Sequence, residues 1–480
     1  MALTTTPSDT LLVIFGANGD LAKRKLLPSL YNLDEDGLLP REWHVIGTAR
    51  SQVTDEEFRD AAREAVLEHA RCEFDDERWA RFAPRLSFTS TEFKPGNVQN
   101  LLEAIARASK EFPSDPQLLF YLSTPPATFG PITAALGEAG LAKAARVVYE
   151  KPFGNDPESF AELDQTVHTV LRGDQTYFID HFLGKEMVQN LLAFRFANGA
   201  FEAMWNRAHI DHVQIDVPED LGVDNRVAFY DTTGAIRDML VTHLFQVLAV
   251  VAMEPPVRLR SEPMTAEKFK VFDSMRELSP EDVVIGQFEG YRDLDGVAPD
   301  SQTDTFVAAR VFIDNWRWHD VPIYLRTGKA MAEKRQMVTL AFRRPPGTMF
   351  PDLPDRGLEQ NHLIFDLEGG GAGFNFLAKR PGPSIRLGRA RMRFNYEHSS
   401  SELIGPYERL VHDALLGDRT LFTRTDGIAR TWDLVQPVLD LGDPQPYPQG
   451  SWGPDAANGL IAPSMWHLPE DDSRFALRAV

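Results

Sequence analysis

The stretch "TLLVIFGANGDLAKRKLLPSLYNL" constrains this chain more than any other. A short apolar run rich in β-branched residues stops at Gly16, and a helical pattern takes over from about Asp20 to Leu33. A strand with no polar alternation is buried on both faces, as in a parallel sheet. The same alternation continues downstream. "HVIGTAR" reads as a second strand, and Thr54 with Glu57 forms a capping box that opens a helix to about Arg71. A helix over about 97–112, the strand "LLFYLST", a helix from about Pro126 to Leu141, the strand "RVVYEKP" and the helix "PESFAELDQTVHTVLR" follow. Strands and helices at this spacing predict a doubly wound α/β sheet.

The turn after the first strand has the pattern G-x-x-G-x-x-A. Gly16 and Gly19 let the backbone approach a pyrophosphate, Ala22 is small enough for close helix packing, and the helix N-terminus offers N–H donors to an anion. One glycine of the usual fingerprint is missing, so the position of the turn, after a strand and before a helix, carries the reading. A glycine turn without a ligand is the other reading. At the end of the second strand a carboxylate would favour a ribose hydroxyl, but "GTARS" places Arg50 and Ser51 there. A guanidinium pairs with a 2′-phosphate, which points to NADP rather than NAD. Taken alone, Arg50 is equally a solvated surface residue.

Chemistry-bearing residues cluster in the middle. "YEKPFG" brings Lys151 to the carboxyl edge of the sheet, where open α/β sheets bind ligands. Pro152 fixes a turn there, through a cis or a trans bond. "FIDHFLGKEMVQN" sets Asp180, His181, Lys185 and Glu186 into an apolar run. In "GAIRDMLVTHLFQVLAVVAMEPP", α-helical spacing separates Asp238 from His243 and aligns Asp238 with Thr242. His243 is either a satisfied core histidine or a base held in one tautomer by an aspartate, for which Asp180 is the candidate. "YLRTGKAMAEKRQ" places Lys329 and Lys334 on a loop after an apolar strand.

The formal net charge of −20 argues against nucleic acid or an anionic membrane as partner. A small anion would then need a local basic pocket, which Lys25, Lys151, His181, Lys185, Lys329 and Lys334 could supply. No run reaches about 18 apolar residues, and "LFQVLAVVAM" reads as a buried helix. "MALTTTPSD" has neither a basic region nor an apolar signal core, so a cytoplasmic protein is expected. Cys72 is the single cysteine, which excludes an intrachain disulfide or a cysteine-rich metal site; no metal is expected.

In order, "VIFGANGDLAKRKLLPSLYNL", "IGTARS", "YLSTPP", "EKPFG", "IDHFLGKEMVQNLLAFRFAN", "GAIRDMLVTHLFQVLAVVAMEPP", "YLRTGKAMAEK" and "YERLVHDALLGDRTLFTRTD" resemble the glucose-6-phosphate dehydrogenase family of the bacterial type, from about residue 11 to about 440. The block beginning at Ile179 is the most specific. The resemblance implies a Rossmann-like NADP-binding domain over 1–180. It also implies an α+β substrate and dimerisation domain over 181–480, with a large, mostly antiparallel sheet and helices. It implies oxidation of D-glucose 6-phosphate at C1 to the 1,5-lactone with NADP as hydride acceptor, in the oxidative pentose phosphate pathway, by a homodimer or homotetramer. Carried over by position, His243 corresponds to the general base, Asp180 to its orienting partner, and Lys151 to the residue between sugar and nicotinamide. His181 and Lys185 correspond to phosphate donors, and Glu219 and Asp238 to acceptors for sugar hydroxyls. Lys329, Lys334 and Lys25 complete the sugar site. Gly16, Gly19, Asp20, Leu21, Arg50 and Ser51, with Lys151, correspond to coenzyme contacts.

The chain departs from that family's pattern near the expected sugar-phosphate site. Phe182 stands where a tyrosine is usual and Phe178 where an arginine is frequent. Val227 and Ala228 replace a glycine pair, and Thr242 replaces an asparagine beside the base. These departures keep two other readings open. One is a paralogous NAD(P)-dependent dehydrogenase for a different or unphosphorylated sugar. The other is a catalytically silent nucleotide-binding regulator. "EGGGAG" reads as a flexible hairpin, and "QPYPQGSWGPDAANG" as a turn-rich loop of no assigned role.

Overall fold

The computed structural model describes residues 6–223, 226–346, 349–350, 358–395 and 404–468. Two compact units emerge: Met1–Gly184 with Pro256–Ala266 and Ile404–Ala429, and Lys185–Pro255 with Glu267–Leu403 and Arg430–Val480. A linear division at residue 180 leaves out the two excursions that belong with the first unit. One of them is anchored by Arg146, which donates to the carbonyls of Ala414 (2.9 Å) and Leu415 (2.6 Å).

The first unit holds six strands: β1 (Thr10–Phe15), β2 (Trp43–Ala49), β3 (Leu86–Ser90), β4 (Gln117–Leu122), β5 (Arg146–Tyr149) and β6 (Thr176–Phe178). All pair in parallel, in the order β3-β2-β1-β4-β5-β6. That is the order of the dinucleotide-binding α/β fold. Every residue of β1 is buried, as its unbroken apolar run requires. The strand order reverses between β1 and β4, so ligand-binding turns belong at the carboxyl ends of these strands. The capping box expected at Thr54 is present: Glu57 N–H donates to Thr54 Oγ1 (3.2 Å), and Thr54 N–H donates to the Glu57 carboxylate (2.8 Å).

The second unit is built on nine strands: β7 (Ile210–Pro218), β8 (Val283–Phe288), β9 (Phe306–Val311), β10 (Ile323–Gly328), β11 (Met337–Phe342), β12 (His362–Asp366), β13 (Gly371–Lys379), β14 (Leu387–Asn395) and β15 (Gln445–Tyr447). Their order is β14-β13-β12-β11-β7-β10-β9-β8-β15. β7 with β10 and β15 with β8 pair in parallel, and the other neighbours are antiparallel. The "EGGGAG" run does form the turn of a hairpin, between β12 and β13. A helical stretch, Val227–Ala252, is long and apolar enough to cross a membrane, but 83% of its most apolar window is buried inside the protein. It is a core helix, and "LFQVLAVVAM" is its most deeply buried part, as expected.

Candidate active site

In the first unit the glycine turn sits at the carboxyl end of β1. Gly16 has φ +76°, and a β-carbon there would lie 2.2 Å from the carbonyl oxygen of Ser123, just past β4. Only glycine satisfies both the left-handed backbone and that close approach. Gly19 N–H donates to Gly16 O (2.8 Å), closing the turn before the helix that begins at Asp20. Ala22 is fully buried beneath it. Asn18 Nδ2 donates to Ser51 Oγ (2.8 Å), which ties the turn to the end of β2. Arg50, beside Ser51, is exposed. A bare turn under a helix N-terminus with a guanidinium one strand away fits a dinucleotide carrying a 2′-phosphate. Asp20 and Leu21 lie in the first turn of that helix; the Asp20 carboxylate faces solvent and pairs with Arg24 (2.6 Å). Lys25 is exposed on the π-helical segment Ala22–Leu26.

At the carboxyl ends of β5 and β6, Ile179 N–H donates to Tyr149 O (3.0 Å), so Glu150 and Asp180 leave neighbouring strands. Both carboxyl groups are buried, at 6% and 3% exposure. Burial raises the pKa of Glu150 to about 7 and Asp180 adds to the rise, while a hydrogen bond from the Tyr121 hydroxyl and the charge of Lys151 act against it. Lys151 is half-buried and is followed by a cis bond to Pro152. Asp180 accepts the Phe182 N–H (2.9 Å), and its carbonyl accepts from Leu183 N–H (3.1 Å), forming the tight turn that carries His181. The His181 ring stacks on Tyr407, with centroids 6.1 Å apart and planes at 12°. Glu150, Tyr121 and Tyr407 were not singled out in the sequence, although each lies in or beside a block that was.

In the second unit, Lys185 precedes the helix Glu186–Phe196 and donates to Gln336 Oε1. Glu219 and Lys329 follow the parallel strands β7 and β10, and Glu219 N–H donates to Gly328 O (2.9 Å). Their side chains form an ion pair, with the ammonium 5.5 Å from the centre of the Tyr230 ring. Lys334 is exposed and bonded to Glu368, which raises its pKa. The turn-rich "QPYPQGSWG" acquires a role here. The Tyr447 hydroxyl donates to Lys329 O (2.7 Å), and Gly450 N–H donates to Ala330 O (2.8 Å), fixing the Lys329 loop.

Asp238 (9% exposed) and His243 (1%) lie on Ile236–Leu244, which is a π-helix and not the α-helix expected. Phe245 N–H reaches back to Leu240 O, the i→i+5 pattern. The wider turn brings residues five apart nearer to one line than an α-helix does. The Thr242 hydroxyl instead donates to Asp238 O (2.6 Å), so its hydroxyl is engaged by its own helix.

The departures from the family pattern have distinct settings. Phe178 is fully buried, stacked on Tyr149 (5.0 Å) and edge-on to Phe153 (5.0 Å), so it is a core residue of the first unit. Phe182 is 3% exposed. Val227 packs against the apolar cluster around Tyr230, and Ala228 is exposed.

A parallel sheet of this order, with such a turn at its point of reversal, defines a dinucleotide-binding protein of the Rossmann type. The chain belongs to the glucose-6-phosphate dehydrogenase family. Residues 13–190 match the model "Glucose-6-phosphate dehydrogenase, NAD binding domain", and residues 192–467 match "Glucose-6-phosphate dehydrogenase, C-terminal domain". Glucose-6-phosphate 1-dehydrogenase of Aggregatibacter actinomycetemcomitans is 38% identical, over 95% of this chain and 97% of its own. The crystal structure of glucose-6-phosphate 1-dehydrogenase from Mycobacterium avium is similar at TM-score 0.85 and 40% identity, covering 96% of this chain and 99% of that one. A glucose-6-phosphate dehydrogenase solved in complex with its substrate glucose-6-phosphate is similar at TM-score 0.89 and 33% identity, covering 98% of this chain and 100% of that one.

Proposed function

We propose that this chain oxidises D-glucose 6-phosphate at C1 to 6-phosphoglucono-1,5-lactone with NADP as coenzyme, the entry step of the oxidative pentose phosphate pathway. The match of both units to one enzyme family, end to end, carries this reading. Bound NADP supplies the hydride acceptor. His243 takes the C1 hydroxyl proton as the C1–H bond breaks, so no cationic sugar forms. Asp180 orients the imidazole and stabilises its charged form. Lys151 lies between sugar and nicotinamide. His181 and Lys185 bind the 6-phosphate by charged hydrogen bonds. Glu219 and Asp238 accept from sugar hydroxyls, and Lys329, Lys334 and Lys25 complete the site. Gly16, Gly19, Asp20, Leu21, Arg50 and Ser51 hold the coenzyme.

The Glu219–Lys329 pair supports a polar group beside the sugar. The same reading includes a homodimer or homotetramer in the cytoplasm, where the thiol of Cys72, a hydrogen-bond partner of Asn32, stays reduced. A panel of sugars with NADP tests the function. Rapid NADPH formation with glucose 6-phosphate and little with free glucose is expected. Turnover of free glucose with none of the phosphate would overturn the reading in favour of a dehydrogenase for another sugar.

A further inference from the structure

We propose that Asp304 is a positioning residue for the base: it sets where the helix carrying Asp238 and His243 begins and how that helix is rotated. Asp304 lies just before β9, far from that helix in sequence, and is 7% exposed. Its Oδ2 accepts the Ile236 N–H (2.8 Å), and its carbonyl accepts the Ala235 N–H (2.8 Å). One residue thus receives two successive donors of the first turn, which an internal helix start would otherwise leave without partners. A buried carboxylate at the positive end of a helix also suits the helix dipole.

Gly234 makes this contact possible. It interrupts the helical stretch at φ +68°, ψ 175°, and a β-carbon there would lie 2.3 Å from Asp304 Oδ1. The kink at Gly234 separates Val227–Thr233 from the segment that starts at Ala235, and the start of that segment is tied to the entry of β9. The adjacent residue extends the device: Thr305 O accepts the Lys329 N–H (2.8 Å), and Thr305 Oγ1 meets the Tyr447 hydroxyl (3.0 Å). The entry to β9 therefore indexes the helix of His243 and the loop of Lys329 together. A cavity of about 310 Å³ borders Asp304, Gly234, Ile236 and Arg237, large enough to admit a small carboxylate.

The inference rests on reading His243 as the base, and the experiment separates the two. In Asp304→Ala, kcat with glucose 6-phosphate is expected to fall about 10- to 100-fold, the range for a displaced reacting group, with NADP binding unchanged. Millimolar formate entering the cavity restores a large part of it, and Asp304→Asn, which keeps an acceptor oxygen, loses far less. A merely structural role would lower the folded fraction and leave turnover per folded molecule unchanged, so kcat is counted per NADP-binding site. If Asp304→Ala does not fold, Gly234→Ala, which drives the same carboxylate away, must lower kcat similarly. Parental kcat in Asp304→Ala, or a loss that neither formate nor asparagine reverses, overturns the inference. Parental kcat in His243→Asn would instead remove the base itself and leave the Asp304 result to be read as helix capping alone.

Discussion

The Tyr121 hydroxyl donates to the Glu150 carboxylate, joining the ends of β4 and β5 in a core that leaves Glu150 6% exposed. Burial places the Glu150 pKa near 7, directly before Lys151. The folded chain therefore holds a proton that the unfolded chain, with an ordinary glutamate near 4.3, has released. Stability falls as pH rises through that window: the penalty is absent below about 4 and complete above about 7.

Glu150→Gln keeps an acceptor for Tyr121 and removes the titration. Denaturant unfolding should show the variant gaining on its parent between pH 5 and pH 8, by on the order of 3 kcal/mol. An identical difference at both pH values would show that Glu150 titrates normally.

Gly16→Ala should disrupt the coenzyme turn. The left-handed backbone and the 2.2 Å approach to Ser123 O leave no room for a β-carbon. A stability loss of about 1–3 kcal/mol is expected, together with loss of NADPH binding measured by fluorescence. Unchanged NADPH affinity would remove the turn from the coenzyme site.

Arg50→Ala should weaken NADP much more than NAD, because only the former carries the 2′-phosphate that a guanidinium pairs with. Steady-state KM values for both coenzymes check it. Equal losses would leave Arg50 as a solvated residue whose exposure is its only property.

Lys185→Ala should raise KM for glucose 6-phosphate about 10- to 100-fold, the loss expected for one charged hydrogen bond. Slow turnover of free glucose, which has no phosphate, should be unaffected. The variant also loses the bond that Lys185 donates to Gln336. Parallel losses on both sugars would mean that Lys185 supports the fold.

The coenzyme half was readable from residues because each signal is local: an apolar strand, a glycine turn, a helix, and a capping box. β3 and β6 escaped notice because three of the five residues of "LSFTS" are small and polar and "TYF" is only three residues long. The π-turn was invisible, since nine residues running straight into a helix that is apolar all round leave no period of their own. Asp304 could not be found from the helix it caps, which lies 68 residues earlier. Its one local signal was Gly234, a glycine inside a helical pattern. Resemblance to a family supplied the roles of Glu219 and Lys329. The parallel pairing of β7 with β10, which makes them neighbours, came from the fold.

The most direct test is kcat of His243→Asn with glucose 6-phosphate under conditions where hydride transfer limits turnover. Loss of a general base should lower it about 10²–10⁴-fold, with KM and NADP affinity much less affected. A kcat indistinguishable from the parent would contradict the assignment of proton removal to the buried imidazole.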